Sequence, residues 1–165
     1  MTTIKLETRI AAPAMRVFLL SLSIDLHVES AAATREQAID GVTHGIIGPG
    51  QSVTWRGRHF GVILRHTSLI TRYEPPFCFE DAMTRGMFAN FAHRHTFHPI
   101  TEGTCMEDEL TFRAPLGVLG IVAERVVLRS YFTQFLKDRD AHIRQVAESD
   151  QWQRFVPEEL HATCL

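Results

Sequence analysis

Cysteine is scarce and unpaired in its spacing: Cys78, Cys105 and Cys164 are the three present, and none forms a C-x-x-C. An odd count without paired spacing argues against a disulfide framework and points to reduced thiols, hence a cytoplasmic protein. Long apolar runs are missing too. A bilayer span needs roughly 20 such residues, and the best candidate, Leu116 to Val122, is short and interrupted by glycine. No stable membrane insertion is expected. Met1 to Arg9 is polar and charged, without the apolar stretch of a signal peptide. Lysine is nearly absent, with Lys5 and Lys137 alone, and the formal net charge of −2 leaves no broad basic field to hold nucleic acid. The chain also lacks G-x-G-x-x-G, P-loop, G-x-S-x-G and H-E-x-x-H patterns. Gly48-Pro49-Gly50 reads as a turn, having neither the lysine nor the helix start of a phosphate cradle. No cofactor is implied.

What is there suits one domain with a sizeable core: 165 residues, 45% of them hydrophobic. Thr3 to Ile10 alternates, with Ile4, Leu6, Thr8 and Ile10 on one face, as a half-buried strand does. Pro13 suits the first turn of a helix carrying Val17, Phe18, Leu20 and Leu22, and a second short helix follows from Ser23 to about Ser30. From Glu36 to Arg113 the period is two. The strands expected are Gln37–Gly45, Ser52–Phe60, Val62–Tyr73, Phe77–Arg85, Phe91–Pro99 and Thr104–Arg113. The short Gly- and Pro-containing breaks between them make hairpins and an antiparallel meander.

Pro115 then opens a helix reaching about Glu148. Leu116, Ala123, Val127, Tyr131, Phe135 and Val146 form its apolar side, thickened by Leu128 and Phe132. Glu124, Arg125, Arg129, Gln134, Lys137, Asp138 and Arg144 lie opposite. Residues 1–148 are expected to be one domain and residues 149–165, which lack periodicity, a loosely attached tail. A homodimer stays open, although no apolar stripe is left over to demand one. The class is α+β: a seven-stranded curved antiparallel sheet wrapped around a long C-terminal helix, with two short helices after the first strand. One helix cannot fill the concave side of so many strands, and the inward faces carry polar groups that a dry core would not tolerate unpaired. An internal cavity is therefore expected.

Ile10-Ala11-Ala12-Pro13 followed by Val17-Phe18, then Ile70, Tyr73, Pro76 and Phe79, then Gly103-Thr104 with Asp108, and finally Ala114-Pro115-Leu116-Gly117, occur in an order and spacing that resembles the START-like (SRPBCC) superfamily. That superfamily includes polyketide cyclases, plant allergen-type carriers and lipid-transfer domains. The resemblance covers roughly residues 3–148 and implies a helix-grip fold with an internal hydrophobic pocket. It implies no single reaction and no shared catalytic motif, since members include both carriers and enzymes.

Strand alternation sorts the candidate site residues. Phe91, His93, His95 and Phe97 share an inward face, as do Thr104, Met106, Asp108, Leu110 and Phe112. So do Phe77, Phe79, Asp81, Met83 and Arg85, and Val53, Trp55, Gly57 and His59. A turn centred on Thr101-Glu102 places Asp108 opposite His95, and a loop centred near Phe88 places Asp81 opposite His95. Asp81, His95 and Asp108 then form a line across three strands; a two-residue slip pairs Asp81 with His93 instead. Carboxylates flanking an imidazole would fix its tautomer and make it a general acid/base. The plainer alternative is a set of charges that satisfy one another beneath the cavity wall.

His93 and His95 with His59 or Asp108 offer mixed nitrogen and oxygen donors, but alternate histidines on a strand arise easily, and no metal is expected. Cys78 and Cys105 face outward. Trp55, His59, Met83, His93, Phe97, Met106, Leu110, Leu128, Tyr131, Phe132 and Phe135 are the candidate ligand contacts. The expected function is to bind a hydrophobic small molecule as carrier or sensor. The alternative is a cyclase or dehydratase working through His95, Asp81 and Asp108.

Overall fold

Alternating burial along the chain builds the sheet. In a computed structural model describing residues 1–115 and 117–165, β1 (Thr2–Ile10) is followed by α1 (Ala14–Ser21) and α2 (Ile24–Ser30). Then come β2 (Gln37–Gly41), β3 (Ser52–His59), β4 (Val62–Glu74), β5 (Cys78–Arg85), β6 (Asn90–Ile100) and β7 (Gly103–Arg113). The strands form one antiparallel sheet of seven in the order β1-β7-β6-β5-β4-β3-β2, so the first strand closes beside the last. Register shifts on β2 against β3, and two on β4 against β5, insert extra residues. Such bulges bend a strand and add twist, which curves the sheet.

The β3–β4 hairpin turns on two residues, Phe60 and Gly61, both at positive φ. Two-residue hairpins demand that geometry, because it matches the strand twist. Glycine accepts it freely; Phe60 accepts it while its ring lies 4.6 Å from that of Tyr131.

Across the sheet runs a continuous helix of 31 residues. It consists of α3 (Gly117–Ala123), a π-helical stretch (Glu124–Leu128) and α4 (Arg129–Ala147). Leu116, expected on its apolar face, lies outside the described residues. Gly120 is buried where a β-carbon would collide with the Pro115 carbonyl, so glycine lets the helix start fold back on the chain entering it.

Two expectations about this helix are corrected. Glu124, placed on the solvent side, is buried. It accepts hydrogen bonds from the Ala114 N–H at 2.7 Å and the Thr2 hydroxyl at 2.8 Å, and the Met1 amine stands 3.4 Å away. A π-helical stretch begins at this residue and changes the angular positions within it relative to a regular helix. In consequence Val127, expected inside, is exposed. Val118, Leu119, Ile121, Val122 and Val126 are exposed with it, so an apolar stripe is left uncovered after all.

The chain end is also corrected. After α4, 3-10 turns at Asp150–Arg154 and Glu158–Cys164 carry Trp152, Phe155, Val156 and Cys164 into the same apolar cluster as Val17, Phe18 and Ile143. A second cluster gathers Ile4, Leu110, Phe112 and Leu136, with Phe88, Phe91 and Phe132 packed on it. Cys78 and Cys105 lie on the outer face as expected, yet neighbouring side chains cover both, and all three thiols are free.

Candidate functional site

Walls drawn from both apolar clusters enclose a cavity of about 430 Å³ between the helix and the inner face of the sheet. Trp55, His59, Leu110, Leu128, Tyr131, Phe132 and Phe135, all candidate contacts, line it, together with His93, His95 and Asp81. Three candidates do not. Phe97 and Met106 point inward but lie under α1, where the Phe97 ring meets Phe18 at 5.5 Å and the Ser21 hydroxyl points to the Met106 sulfur at 3.7 Å. Helix α1 occupies the part of the concave face that these residues would otherwise open to a ligand. Met83 is half-buried on β5, its sulfur packed against Gly86. Of the other inward-parity residues on that strand's course, Phe77 and Arg85 are exposed, since both lie where the sheet runs out into solvent.

The sheet registers decide how the charged residues meet. His95 pairs with Asp108 and His93 with Leu110, as the Thr101-Glu102 turn requires. On the other side Asp81 pairs with His93, and Phe79 with His95. The β5–β6 loop is centred on Met87 rather than Phe88, and one residue of loop shift moves the pairing by two. The expected line Asp81–His95–Asp108 is therefore replaced by two adjacent rows, Ile70–Asp81–His93–Leu110 and Tyr73–Phe79–His95–Asp108.

The polar groups still converge. His95 Nδ1 lies 2.7 Å and His93 Nε2 2.9 Å from the same oxygen, Asp108 Oδ1. Neither ring aims its N–H along that line, so both nitrogens and Asp108 Oδ2 lack a well-directed partner. Arg139, from α4, brings Nη1 to 3.5 Å of Oδ1 and donates through Nη2 to the Ser21 carbonyl at 3.2 Å. Burial works to raise the Asp108 carboxyl pKa, but the two imidazoles hold it well below the usual carboxylate range. Burial, then the neighbouring His93, lowers His95 to about 4 against the pull of Asp108. With Arg139 as counter-charge, Asp108 is ionised and His95 is a neutral imidazole at neutral pH. His95 is also almost wholly buried from solvent, stacked at 4.2 Å on Phe79. His93 is the member of the pair that faces Asp81 across the strands.

A second polar group, centred on Glu36, lines the same cavity. The Glu36 carboxylate accepts from His27 Nε2 at 2.7 Å and stands 3.2 Å from His59 Nε2; on the far side of that ring, Nδ1 meets the Tyr131 hydroxyl at 2.6 Å. Burial pushes the Glu36 carboxyl up, but the hydrogen bonds of His27 and His59 outweigh it and hold the group at about 2. His27 stacks on Trp55 at 4.2 Å. His66 bonds the Ser68 hydroxyl at 2.9 Å on the wall between, and burial lowers its pKa.

Sequence reasoning missed Glu36, His27 and Arg139. Arg139 had a signal: it continues the helical stripe Leu128, Phe132, Leu136, Ile143 at the spacing of an inward position. Glu36 precedes β2 in irregular chain and carried none. For metals, Asp81, His93 and His95 present possible ligand atoms within 4.8 Å of one another, as do Glu7, Cys105 and Glu107 on the outer face. In the first group the buried guanidinium beside Asp108 already balances the local negative charge, which weakens the attraction for a cation.

No family model matches the chain, and no curated protein matches it. Solved structures do. A Thermus thermophilus protein superposes with a TM-score of 0.70 at 17% identity, covering 90% of this chain and 100% of the other. A Chromobacterium violaceum protein gives 0.64 at 14% identity, over 90% and 98%. A START superfamily protein from Mycobacterium smegmatis gives 0.66 at 11% identity, over 87% and 98%. At such identities the likeness is one of fold. The chain has the helix-grip architecture of START-like proteins, and no helix among the described residues is long and apolar enough to cross a membrane.

Proposed function

We propose that this START-like fold holds one small, largely apolar molecule in its cavity, as a carrier or sensor working in the cytoplasm. The observation that supports this reading best is the cavity itself. Its 430 Å³ lies in the range of pockets that take a single drug-sized molecule, and its lining is aromatic and aliphatic with a few convergent polar groups. A ring-containing molecule, aromatic or polyketide-like, suits walls built from Phe88, Phe91, Phe132 and Phe135.

Native mass spectrometry of freshly purified protein, followed by organic extraction, tests it. A retained apolar molecule, or saturable one-to-one binding of an apolar fluorescent dye, supports the reading. Leu64→Trp, which fills the cavity from β4, should abolish that binding while the fold survives. A protein that stays empty and binds no dye would sink it.

A second reading is favoured by the imidazoles at Asp108. A cyclase or dehydratase needs a group that moves a proton inside an apolar pocket. His93, opposite Asp81 and 2.9 Å from Asp108, would be that group, and His95 with Asp108 would hold it in place. If His93→Ala keeps ligand affinity but stops conversion of a candidate substrate, this reading stands. If affinity falls and turnover is never seen, the histidines serve recognition.

A further inference from the structure

The Glu36 group has a direction that the Asp108 group lacks. Glu36 is an ionised carboxylate and can only accept hydrogen bonds, so His27 Nε2, bonded to it at 2.7 Å, is a donor, and His59 Nε2, in a looser contact at 3.2 Å, turns a proton rather than a lone pair toward the same charge. In the tautomer that turns its proton on Nε2 toward the carboxylate, His59 presents a bare Nδ1, and the Tyr131 hydroxyl donates to it at 2.6 Å. The phenol's own donor is thereby used up, and what it offers to the cavity is its oxygen lone pairs. The donors of the row Tyr131–His59–Glu36 then all point the same way, toward a negative charge, which polarises the row and strengthens the terminal oxygen as an acceptor.

The surroundings hold this arrangement. Gly57 leaves room for the Glu36 side chain on β3: a β-carbon there would stand 2.7 Å from Glu36 Cγ and 2.9 Å from His59 Nε2. Phe60 and Phe135 flank the Tyr131 ring, at 4.6 and 6.5 Å. The oxygen is thus an acceptor set among aromatic rings on the wall of a largely apolar cavity.

We infer that Tyr131, positioned by His59 and Glu36, is the point at which the cavity recognises a hydroxyl donor, and that the ligand class is an apolar ring compound bearing a phenolic or enolic O–H. This rests on the cavity-binding reading. Tyr131 touches the ligand; His59 and Glu36 are positioning residues that act through it. A ligand whose oxygen is a methyl ether can donate nothing and leaves the acceptor unpaired in a desolvated place, which costs affinity.

The test compares 2-naphthol with 2-methoxynaphthalene by calorimetric titration at neutral pH. The wild-type protein should bind 2-naphthol about tenfold more tightly than the ether, the value of one well-placed hydrogen bond. Tyr131→Phe should reduce that ratio to about twofold or less while leaving ether binding in place, which shows that the cavity is intact. Glu36→Gln and His59→Gln should reduce it in the same way. Damage of a merely structural kind would weaken both probes together, so the ratio isolates positioning. A wild-type ratio near one, or a ratio unchanged in Tyr131→Phe, overturns the inference while leaving cavity binding standing. If the wild-type protein binds neither probe, the cavity reading falls and the inference with it.

Discussion

Arg139 Nη1 stands 3.5 Å from Asp108 Oδ1, and the two side chains are 8% and 0% exposed. Helix α4 and strand β7 are thus joined by opposite charges in the interior, with the rings of His93 and His95 against the same oxygen. Such a pair adds little over an apolar substitute, but removing one partner strands the other. Asp108→Asn should cost about 3–5 kcal/mol, because the guanidinium is left buried without its counter-charge. Asp108→Asn with Arg139→Met should recover most of that loss. Urea unfolding with unchanged slope and a shifted midpoint reads both effects.

The neighbouring Asp140 behaves in the opposite sense. Burial, reinforced by the charge of Asp108, pushes its carboxyl up to about 8, against the pull of Arg139 and the hydrogen bond that the Thr8 hydroxyl donates at 3.4 Å. The folded protein therefore holds a proton that the unfolded chain releases near pH 4. Its contribution to stability is complete below that value, falls as the pH climbs from about 4 to about 8, and is gone above. Asp140→Asn should flatten stability across this window and leave the variant the more stable protein at pH 9. Thermal unfolding at matched ionic strength from pH 5 to 9 checks it. An unchanged slope would mean that Asp140 ionises freely in the fold.

Much of this was written in the sequence, and the failures have physical causes. Period-two alternation placed His93, His95, Asp108 and Leu110 inward, because one face of the sheet is buried and a slip would expose every apolar side chain. The β6–β7 register followed from a two-residue turn that leaves no freedom. The β5–β6 register was not fixed in this way, since Gly86 to Ala89 can be centred on either of two residues. The helix phase failed only at the π-helical stretch, where Glu124 turns inward and Val127 outward and which 3.6-residue periodicity cannot foresee; Leu128, Tyr131, Phe132 and Phe135 beyond it line the cavity as the stripe required. Glu36 illustrates a different limit: its partners come from α2, β3 and, through His59, α4, and only the assembled fold brings them together.

Gly57→Ala offers a way to disturb the Glu36 row without touching its members. The added methyl meets the Glu36 chain and the His59 ring, both of which must shift, while the backbone of β3 is of ordinary conformation at this position. The carboxylate should lose its close histidine contact, and its pKa should climb from about 2 toward the ordinary glutamate value. Carboxyl-carbon NMR titration reads this directly. The cost in stability should be about 1–3 kcal/mol, the usual range for overpacking. A Glu36 carboxyl that still titrates near 2 would show that the row has slack to absorb a methyl group.

The C-terminal turns make the last prediction. Arg16 of α1 donates through Nε to the Cys164 carbonyl at 3.0 Å and through Nη1 to the Ala147 carbonyl at 3.0 Å, and its guanidinium lies 4.7 Å over the Trp152 ring. The end of α4, the following turns and the first helix are therefore held at one place. Trp152 is buried in the cluster that contains Val17 and Phe18, so Trp152→Ala should cost about 3–5 kcal/mol. Arg16→Met should cost less, about 1–2 kcal/mol, because the apolar stem still covers the ring while the two carbonyl contacts are lost. Removal of residues 149–165 should destabilise more than either substitution, because it takes Trp152, Phe155, Val156 and Cys164 out of the cluster together. Chemical denaturation of the three variants gives the order. A truncated chain as stable as the full one would mean that these turns merely rest against the domain.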